Sequence, residues 1–301
     1  MEAFWSHCFR GTGFRHGMNR KNLFCPVCGS DDAVVVDRRM LKTGLHQSWL
    51  CGCCGMVFVY PRKPLATYLR FYRGDYTSRV YGLEDKQEAV EEVLKWRRRR
   101  SLEKIGYFPR FWKGKLQVLE IGAGIGAFLD VLRDRHQARV WGIEPSPAFV
   151  NAARTYLQLP IFHGSFEEWT KKKGDRFPKQ YDRIVMDQIL EHMLDPVAFL
   201  SSLHAHLKKD GQIFISVPNV AEPKEPRKDF FIFEHVSSFS PFSLTLLLAR
   251  CGYKVTGIFA EQPGSLQVTA APFSSRVKMV QPEIIGSPVT AKMVKKRFAR
   301  L

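Results

Sequence analysis

The sequence predicts an α/β protein: a doubly wound, Rossmann-like, mostly parallel seven-stranded sheet, preceded by a small cysteine-rich module and a helical linker. Three observations carry that expectation. From residue 115 onward short apolar runs alternate with helically spaced ones, three glycines crowd positions 122–126, and five of the seven cysteines fall between positions 25 and 54. Regular alternation of strand and helix periods is the pattern of a parallel sheet with helical crossovers.

The elements follow in chain order. Residues 1–20 are rich in Arg and nearly free of acids, which reads as a flexible arm or, alternatively, a transit peptide. Over 21–60, "FCPVCGS" and "LCGCCGM" repeat one pattern, Cys-x-x-Cys-Gly, with 22 residues between Cys28 and Cys51. Each pair places two thiolates on a tight turn, and the following glycine admits the positive φ that aims backbone N–H groups at the sulfurs. Two such knuckles supply Cys25, Cys28, Cys51 and Cys54 as four soft ligands, a closed tetrahedral set suited to structural Zn²⁺. Cys53 is a spare thiol that could replace a neighbour, and "AVVVDRRM" and "HQSWL" supply the strands of a zinc ribbon. An Fe–S site or a redox Cys-x-x-Cys pair would not explain the duplicated knuckle.

Residues 61–114 form an aromatic and helical linker. Apolar residues at 90, 93, 94, 102 and 105 mark a helix, and "WRRRR" within it reads as a solvated face. Then come the strands "LQVLEIG", "ARVWGIE", "LPIFHG", "YDRIVMD" and "GQIFISVPN", separated by helices such as "AFLDVLRDR" and "VAFLSSLHAHL". His204 and His206 fall on the latter, on its expected solvent face. "KVTGIFAE" and "SLQVTAAPF" close the domain as a hairpin that adds an antiparallel strand, so the domain is expected over 115–272 and a basic tail over 273–301.

Charge separates these regions. Residues 1–114 hold 21 basic against 11 acidic side chains, residues 115–270 hold 18 against 17, and residues 271–301 hold 7 against 1. The core is near neutral and both arms are basic, which favours polyanions as partners of the arms. No apolar run approaches the roughly 18 residues of a membrane span. Clustered cysteines without an export signal point to a reducing, cytoplasmic setting and to metal instead of disulfides.

The loop "GAGIGA" fits the dinucleotide pattern, with Glu144 ending the second strand where an acid takes ribose hydroxyls. Glu120, two residues before the first glycine, disfavours a pyrophosphate and suits a cationic ligand. Taken together, E-x-G-x-G-x-G at 120–126, Glu144, D-Q-x-L-E-H-x-x-D-P at 187–196 and G-x-I-x-I-S-V-P-N at 211–219 resemble the class I S-adenosylmethionine-dependent methyltransferases. The cysteine module followed by "VFVYP" and a Tyr-rich segment is similar to zinc-binding relatives of that family, including some sugar C-methyltransferases. Where those relatives carry a large C-terminal domain, only residues 273–301 follow here.

The resemblance implies S-adenosylmethionine as cofactor, with Gly122, Gly124 and Gly126 against its backbone side. It implies Glu120 at the amino acid end, Glu144 at the ribose, Phe166 and Glu167 at the adenine, and Asp187 and Gln188 at the junction with the acceptor. The base candidates are His192, Glu234 and His235, the latter two after a Pro- and charge-rich loop at 222–229 that could act as a lid. The expected reaction is C- or O-methylation of a small or carrier-linked, sugar-like metabolite. The alternatives are an RNA methyltransferase that holds nucleic acid through the ribbon and basic arms, a binding module that has lost activity, and an NAD-dependent oxidoreductase.

Overall fold

The computed structural model describes residues 23–41, 44–73, 87–172, 176–260, 262–276 and 288–299. The expected arm at 1–20 and most of the Tyr-rich segment therefore lie outside the described residues.

The cysteine-rich module is an antiparallel sheet of β1 (Ala33–Leu41), β2 (Gly44–Cys51) and β3 (Val57–Val59). A fourth strand, β9 (Ser237–Ser238), pairs with β3 and comes from far down the chain, where the sequence pattern marks no strand. The linker holds α1 (Leu65–Arg73) and α2 (Gln87–Gly106).

The main domain then runs β4 (Gln117–Ile121), α3 (Ala127–His136), β5 (Arg139–Glu144), α4 (Pro147–Leu157), β6 (Ile161–His163), α5 (Phe166–Lys172) and β7 (Tyr181–Asp187). It continues with α6 (Pro196–Ser202), β8 (Leu207–Pro218), α7 (Arg227–Phe230), then after β9 α8 (Pro241–Arg250), β10 (Tyr253–Phe259) and β11 (Ser265–Pro272). The seven strands lie in the order β10-β11-β8-β7-β4-β5-β6. Only β11 runs against the other strands, inserted between β10 and β8 and antiparallel to both.

Alternation along the strands builds two apolar layers. Leu119, Ile184, Ile213 and Ile215 enter one cluster, while Val118, Val185 and Phe214 enter the other. All seven are 0 % exposed. At roughly 1.5–3 kcal/mol per buried aliphatic or aromatic side chain, these central strands form the rigid base from which the loops at their carboxyl ends project.

Three local readings of the sequence are corrected. "VAFLSSLHAHL" is α6 followed by a 3-10 turn over Leu203–His206, not one helix. His204 is not solvated: its Nε2–H donates to the Cys251 carbonyl at 2.7 Å and its ring stacks on Tyr253 at 4.2 Å, while His206 packs against Trp169 and Phe166. The "WRRRR" run is also not a uniform solvated face. Arg98 pairs with Asp130 and Asp134 of α3, clamping α2 to the domain, while Arg97 and Arg100 line the central cavity and Arg99 is exposed.

The basic tail contains α9 (Ala291–Phe298), capped by Thr290, whose side chain accepts from the Met293 N–H. Val294 and Phe298 are buried against the ribbon and against Phe230 and Phe231, while Lys292, Lys295 and Lys296 face solvent. Among the described residues no helix is long and apolar enough to cross a membrane.

Candidate functional site

The site begins where β4 ends. Gly122, Gly124 and Gly126 all take positive φ, at 72°, 53° and 83°. At Gly122 a Cβ would lie 2.0 Å from Ile189 Cδ1 and at Gly126 2.4 Å from Leu159 Cδ1, so a side chain at either would displace that neighbour as well as strain the backbone. Gly124 differs, because its missing Cβ faces open space. Two of the glycines thus close the loop onto the protein, and the middle one turns bare backbone toward the cavity.

That cavity encloses about 1380 Å³ and runs from the glycine loop to the segment at 232–235. Drug-sized ligand sites measure about 300–1,000 Å³, so this one has room for a cofactor and a second molecule.

Several carboxylates line it, Glu144, Glu120 and Asp187 among them. Glu144, at the end of β5, accepts from the Gly124 N–H and the Ser146 N–H, each at 2.8 Å. Burial raises its pKa to about 7, against the lowering effect of those two hydrogen bonds. Glu120 is buried, and its Oε2 has no hydrogen-bond partner. Burial and the charge of Asp187 hold its pKa well above the ordinary carboxylate value. A buried, unpartnered acceptor costs about 1–3 kcal/mol, so this oxygen is suited to a cationic donor entering the cavity.

Asp187, at the end of β7, accepts from Lys104 Nζ of α2 at 2.5 Å. Burial pushes Asp187 up, but the Lys104 ammonium more than offsets this and holds it below its usual value. Gln188 follows in a left-handed conformation, φ 60°, with its N–H donating to the Ser216 carbonyl at 2.8 Å. Such a backbone in a non-glycine residue is held only by its surroundings, and it marks the centre of the cavity wall. Phe166 lies at the start of α5 and is 7 % exposed, turned mainly into the core against Phe199 and Trp169, with one edge on the cavity; Glu167 is exposed at the rim.

The far end is built from a 3-10 turn after β7 and the chain just before β9. Nδ1–H of His192 donates to the Glu234 carbonyl at 3.0 Å, and Nδ1–H of His235 donates to the Phe230 carbonyl at 3.1 Å. A carbonyl can only accept, so each ring carries a proton on Nδ1; the His192 ring is bonded to the Gln188 backbone as well. The rings stand 5.1 Å apart. Burial lowers His192 to about 3 and His235 to about 4, keeping both neutral at physiological pH. Glu234 is nearly buried, and burial raises its carboxyl. Asp195 caps α6, accepting from the Ala198 N–H at 2.9 Å, and Pro196 opens that helix.

Away from the cavity, Cys25, Cys28, Cys51 and Cys54 are buried with their sulfurs within 4.8 Å of one another. The Cys25–Cys54 and Cys28–Cys51 sulfurs are each 3.5 Å apart. A tetrahedral thiolate site with Zn–S bonds of about 2.3 Å needs sulfurs about 3.8 Å apart, and these two pairs stand close to that spacing. Cys53 is not part of it and is not the spare thiol expected, because it is disulfide-bonded. Gly29 and Gly55 take the expected positive φ, 76° and 69°; their own N–H groups close the turns onto the Cys25 and Cys51 carbonyls, and the Cys54 N–H meets Sγ of Cys51.

The structure thus brings Glu120, Gly124, Glu144, Phe166, Glu167, Asp187, Gln188, His192, Glu234 and His235 onto one cavity. Sequence reasoning missed Lys104, Arg97 and Glu191. The first two sit on α2 at i and i+7, the spacing of one helix face, but nothing in the sequence tells which face meets the sheet. Glu191 was hidden inside the "LEH" turn, and it is fully buried with neither carboxylate oxygen hydrogen-bonded.

A seven-stranded doubly wound sheet with a glycine loop, a strand-end glutamate and a deep cavity beyond Asp187 defines a class I S-adenosylmethionine-dependent methyltransferase. Sequence comparison agrees: residues 85–257 match the family model of the methyltransferase domain, and the chain belongs to that family. The oxidoreductase reading is thereby set aside. Among curated proteins the chain is 29% identical over 104 residues to a ubiquinone biosynthesis O-methyltransferase of Pseudomonas aeruginosa, covering 34% of this chain and 44% of that one. It is 30% identical over 108 residues to the enzyme of the same name from Histophilus somni, covering 34% and 45%. The mitochondrial one of Schizosaccharomyces pombe is 29% identical over 102 residues, covering 33% and 37%. The chain spans less than half the length of these relatives.

Among solved structures, a SAM-dependent methyltransferase from Archaeoglobus fulgidus is similar at 17% identity and a TM-score of 0.45, covering 58% of this chain and 94% of that one. A glycopeptide N-methyltransferase complexed with sinefungin is similar at 17% identity and a TM-score of 0.44, covering 57% and 93%.

Proposed function

We propose that this methyltransferase acts on carbon or oxygen of a small or carrier-linked, sugar-like metabolite, with a zinc-bound ribbon as scaffold. The observation that carries the reading is the pair of neutral imidazoles, His192 and His235, lining the same cavity as the glycine loop. A proton acceptor is what an acceptor hydroxyl or acidic C–H requires. That the curated relatives are named for O-methylation favours oxygen.

S-adenosylmethionine supplies an electrophilic methyl group on a sulfonium. In this reading the bare backbone at Gly124, flanked by Gly122 and Gly126, faces the cofactor, and the unpartnered Oε2 of Glu120 receives its ammonium. Glu144 has one lone pair per oxygen left for the ribose diol after binding two backbone N–H groups. Phe166 and Glu167 flank the adenine. Asp187, fixed by Lys104, and Gln188, fixed by its strained backbone, separate cofactor from acceptor. His192 or His235 takes the proton as the acceptor attacks, the Glu234 carbonyl holding His192 and the Phe230 carbonyl holding His235. Methyl transfer from radiolabelled cofactor into a metabolite extract, compared with total RNA, tests this. Label confined to RNA would favour the alternative reading, in which the basic surfaces hold nucleic acid.

A further inference from the structure

We infer that Arg39 of the ribbon is a positioning residue for His235: its guanidinium, aimed by Asp37, fixes the one-turn helix α7, and the last carbonyl of that turn holds the His235 ring. The inference rests on the proposed function only in taking His235 as a proton acceptor.

The first reason is what α7 lacks. It has four residues, Arg227–Phe230, far fewer than the roughly 12–15 at which an isolated helix is even marginally stable in water. Its carbonyls have no following turn to accept from and must find partners outside. The Phe231 N–H donates to the Arg227 carbonyl at 3.1 Å. Arg39 Nη2 donates to that same carbonyl at 2.8 Å, and Arg39 Nη1 donates to the Lys228 carbonyl at 2.7 Å. His235 Nδ1–H donates to the Phe230 carbonyl at 3.1 Å. An arginine of the ribbon and a histidine of the cavity therefore cap one and the same turn.

The second reason is that the arginine is itself held. Its Nε–H donates to Asp37 Oδ2 at 2.8 Å, and the Asp37 side chain is 7 % exposed. The two residues stand two positions apart on β1 and so share one face of the strand. All three guanidinium nitrogens are thus committed, in the planar fork that distinguishes arginine from lysine. A lysine would bring one nitrogen, which cannot cap two carbonyls and meet the acid in this arrangement.

The other contacts of the segment hold its side chains and leave carbonyl direction to Arg39. Glu222 pairs with Arg297 of α9, and its carbonyl accepts from the Gly264 N–H at 2.5 Å. Phe230 and Phe231 are buried, with the Phe298 ring 5.2 Å from each. This packing persists without Arg39, so losing the guanidinium loosens the turn without expelling it from the core. A loosened turn lets the Phe230 carbonyl swing away from Nδ1 and frees the imidazole to take its other tautomer. Misplacing a reacting group by about 1 Å costs on the order of 10²-fold in rate. Arg39 does not itself line the cavity, so it acts only through the turn.

The test reads His235 directly. NMR of the zinc-loaded full chain carrying nitrogen-labelled histidine reports which ring nitrogen holds the proton, and the His235 signals are assigned by their loss in His235→Gln. In the unsubstituted chain the proton is expected on Nδ1. Arg39→Lys should convert those signals to a mixture of tautomers. Asp37→Leu, which releases the guanidinium without stranding a buried charge, should move them the same way. Both variants should keep affinity for the demethylated cofactor within about twofold, while kcat on whichever acceptor takes up label falls about tenfold or more. Arg38→Gln removes the same charge from an exposed neighbour on the other face of β1 and should leave the His235 signals as they are. His235 protonated on Nδ1 alone in both variants overturns the inference; so does loss of the folded chain in both, which would make Arg39 a structural residue only. The tautomer is measured without cofactor or acceptor, so its failure is distinct from failure of the methyl-transfer reading, which the labelling assay decides.

Discussion

The backbone N–H of Val59 donates to the carbonyl of Val236 at 3.0 Å, so the ribbon is bonded to the residue that follows His235. The pairs Val57–Ser238 and Phe58–Ser237 extend that contact into a short ladder. The cysteine module therefore helps hold one wall of the cavity. Purified protein is expected to carry about one zinc per chain. Cys28→Ser should lower zinc content and stability, and should reduce turnover more than cofactor affinity, because His235 hangs on the ribbon and the glycine loop does not. Metal analysis with calorimetry checks this; a metal-free chain with full thermal stability and turnover would contradict it.

Cofactor binding should depend on pH through Glu144. Burial raises this carboxyl from the ordinary 4.5 to about 7. A group with a raised pKa favours the folded state while protonated, so without ligand its contribution is lost as pH climbs from about 4.5 through about 7. A ribose diol donates to the carboxylate form, so affinity should rise with pH up to about 7 and level off above it. Glu144→Gln is expected to flatten that dependence and weaken binding by about 1–3 kcal/mol. Calorimetry between pH 5.5 and 8.5, roughly bracketing that pKa, is the measurement, and an unchanged profile in the variant would falsify the assignment.

How much of this was legible in the sequence follows from the range of each interaction. The order of strands and helices, the glycine loop and the acid closing β5 were readable because they are set by local periodicity and by single residues. Cys25, Cys28, Cys51 and Cys54 were readable because one ligand spacing occurs twice. Strand β9 was not: two serines have no strand period, and they pair only because β3 lies alongside. Lys104 and Arg97 were unreadable for a related reason. Their roles depend on how α2 docks, and that docking is fixed by Arg98 reaching Asp130 and Asp134 in another helix.

The Lys104–Asp187 pair makes a prediction of its own. Both side chains are largely buried, at 9% and 12% exposure. Removing one partner of such a pair leaves an uncompensated charge, at a cost of about 3–5 kcal/mol. Lys104→Met should lower stability by an amount in that range and raise the Asp187 pKa, since the ammonium is what offsets burial there. Adding Asp187→Asn should recover part of the loss. Thermal unfolding of the two single variants and the double variant gives the coupling directly, and strict additivity would show that the pair contributes nothing beyond its separate groups.

The exposed lysines of α9 separate the two acceptor classes. Deleting residues 273–301 would not do so, because Val294 and Phe298 pack against the ribbon and against Phe230 and Phe231. Losing Phe298 alone removes a buried aromatic, worth about 3–5 kcal/mol when truncated, and would disturb the cavity whatever the acceptor. Lys292, Lys295 and Lys296 can be changed to Gln without touching that packing, since all three face solvent. With a small acceptor, the triple variant should keep its turnover within about twofold, as expected for surface changes that cost under about 0.5 kcal/mol. An RNA acceptor gives the opposite result. Each neutralised phosphate releases counterions, so affinity would fall steeply with salt and the triple substitution would flatten that slope by up to about three phosphate contacts. Turnover on the acceptor that takes up label, measured at two salt concentrations in the unsubstituted chain and the triple variant, distinguishes the two; a loss tracking the lysines would place the acceptor on the basic surface.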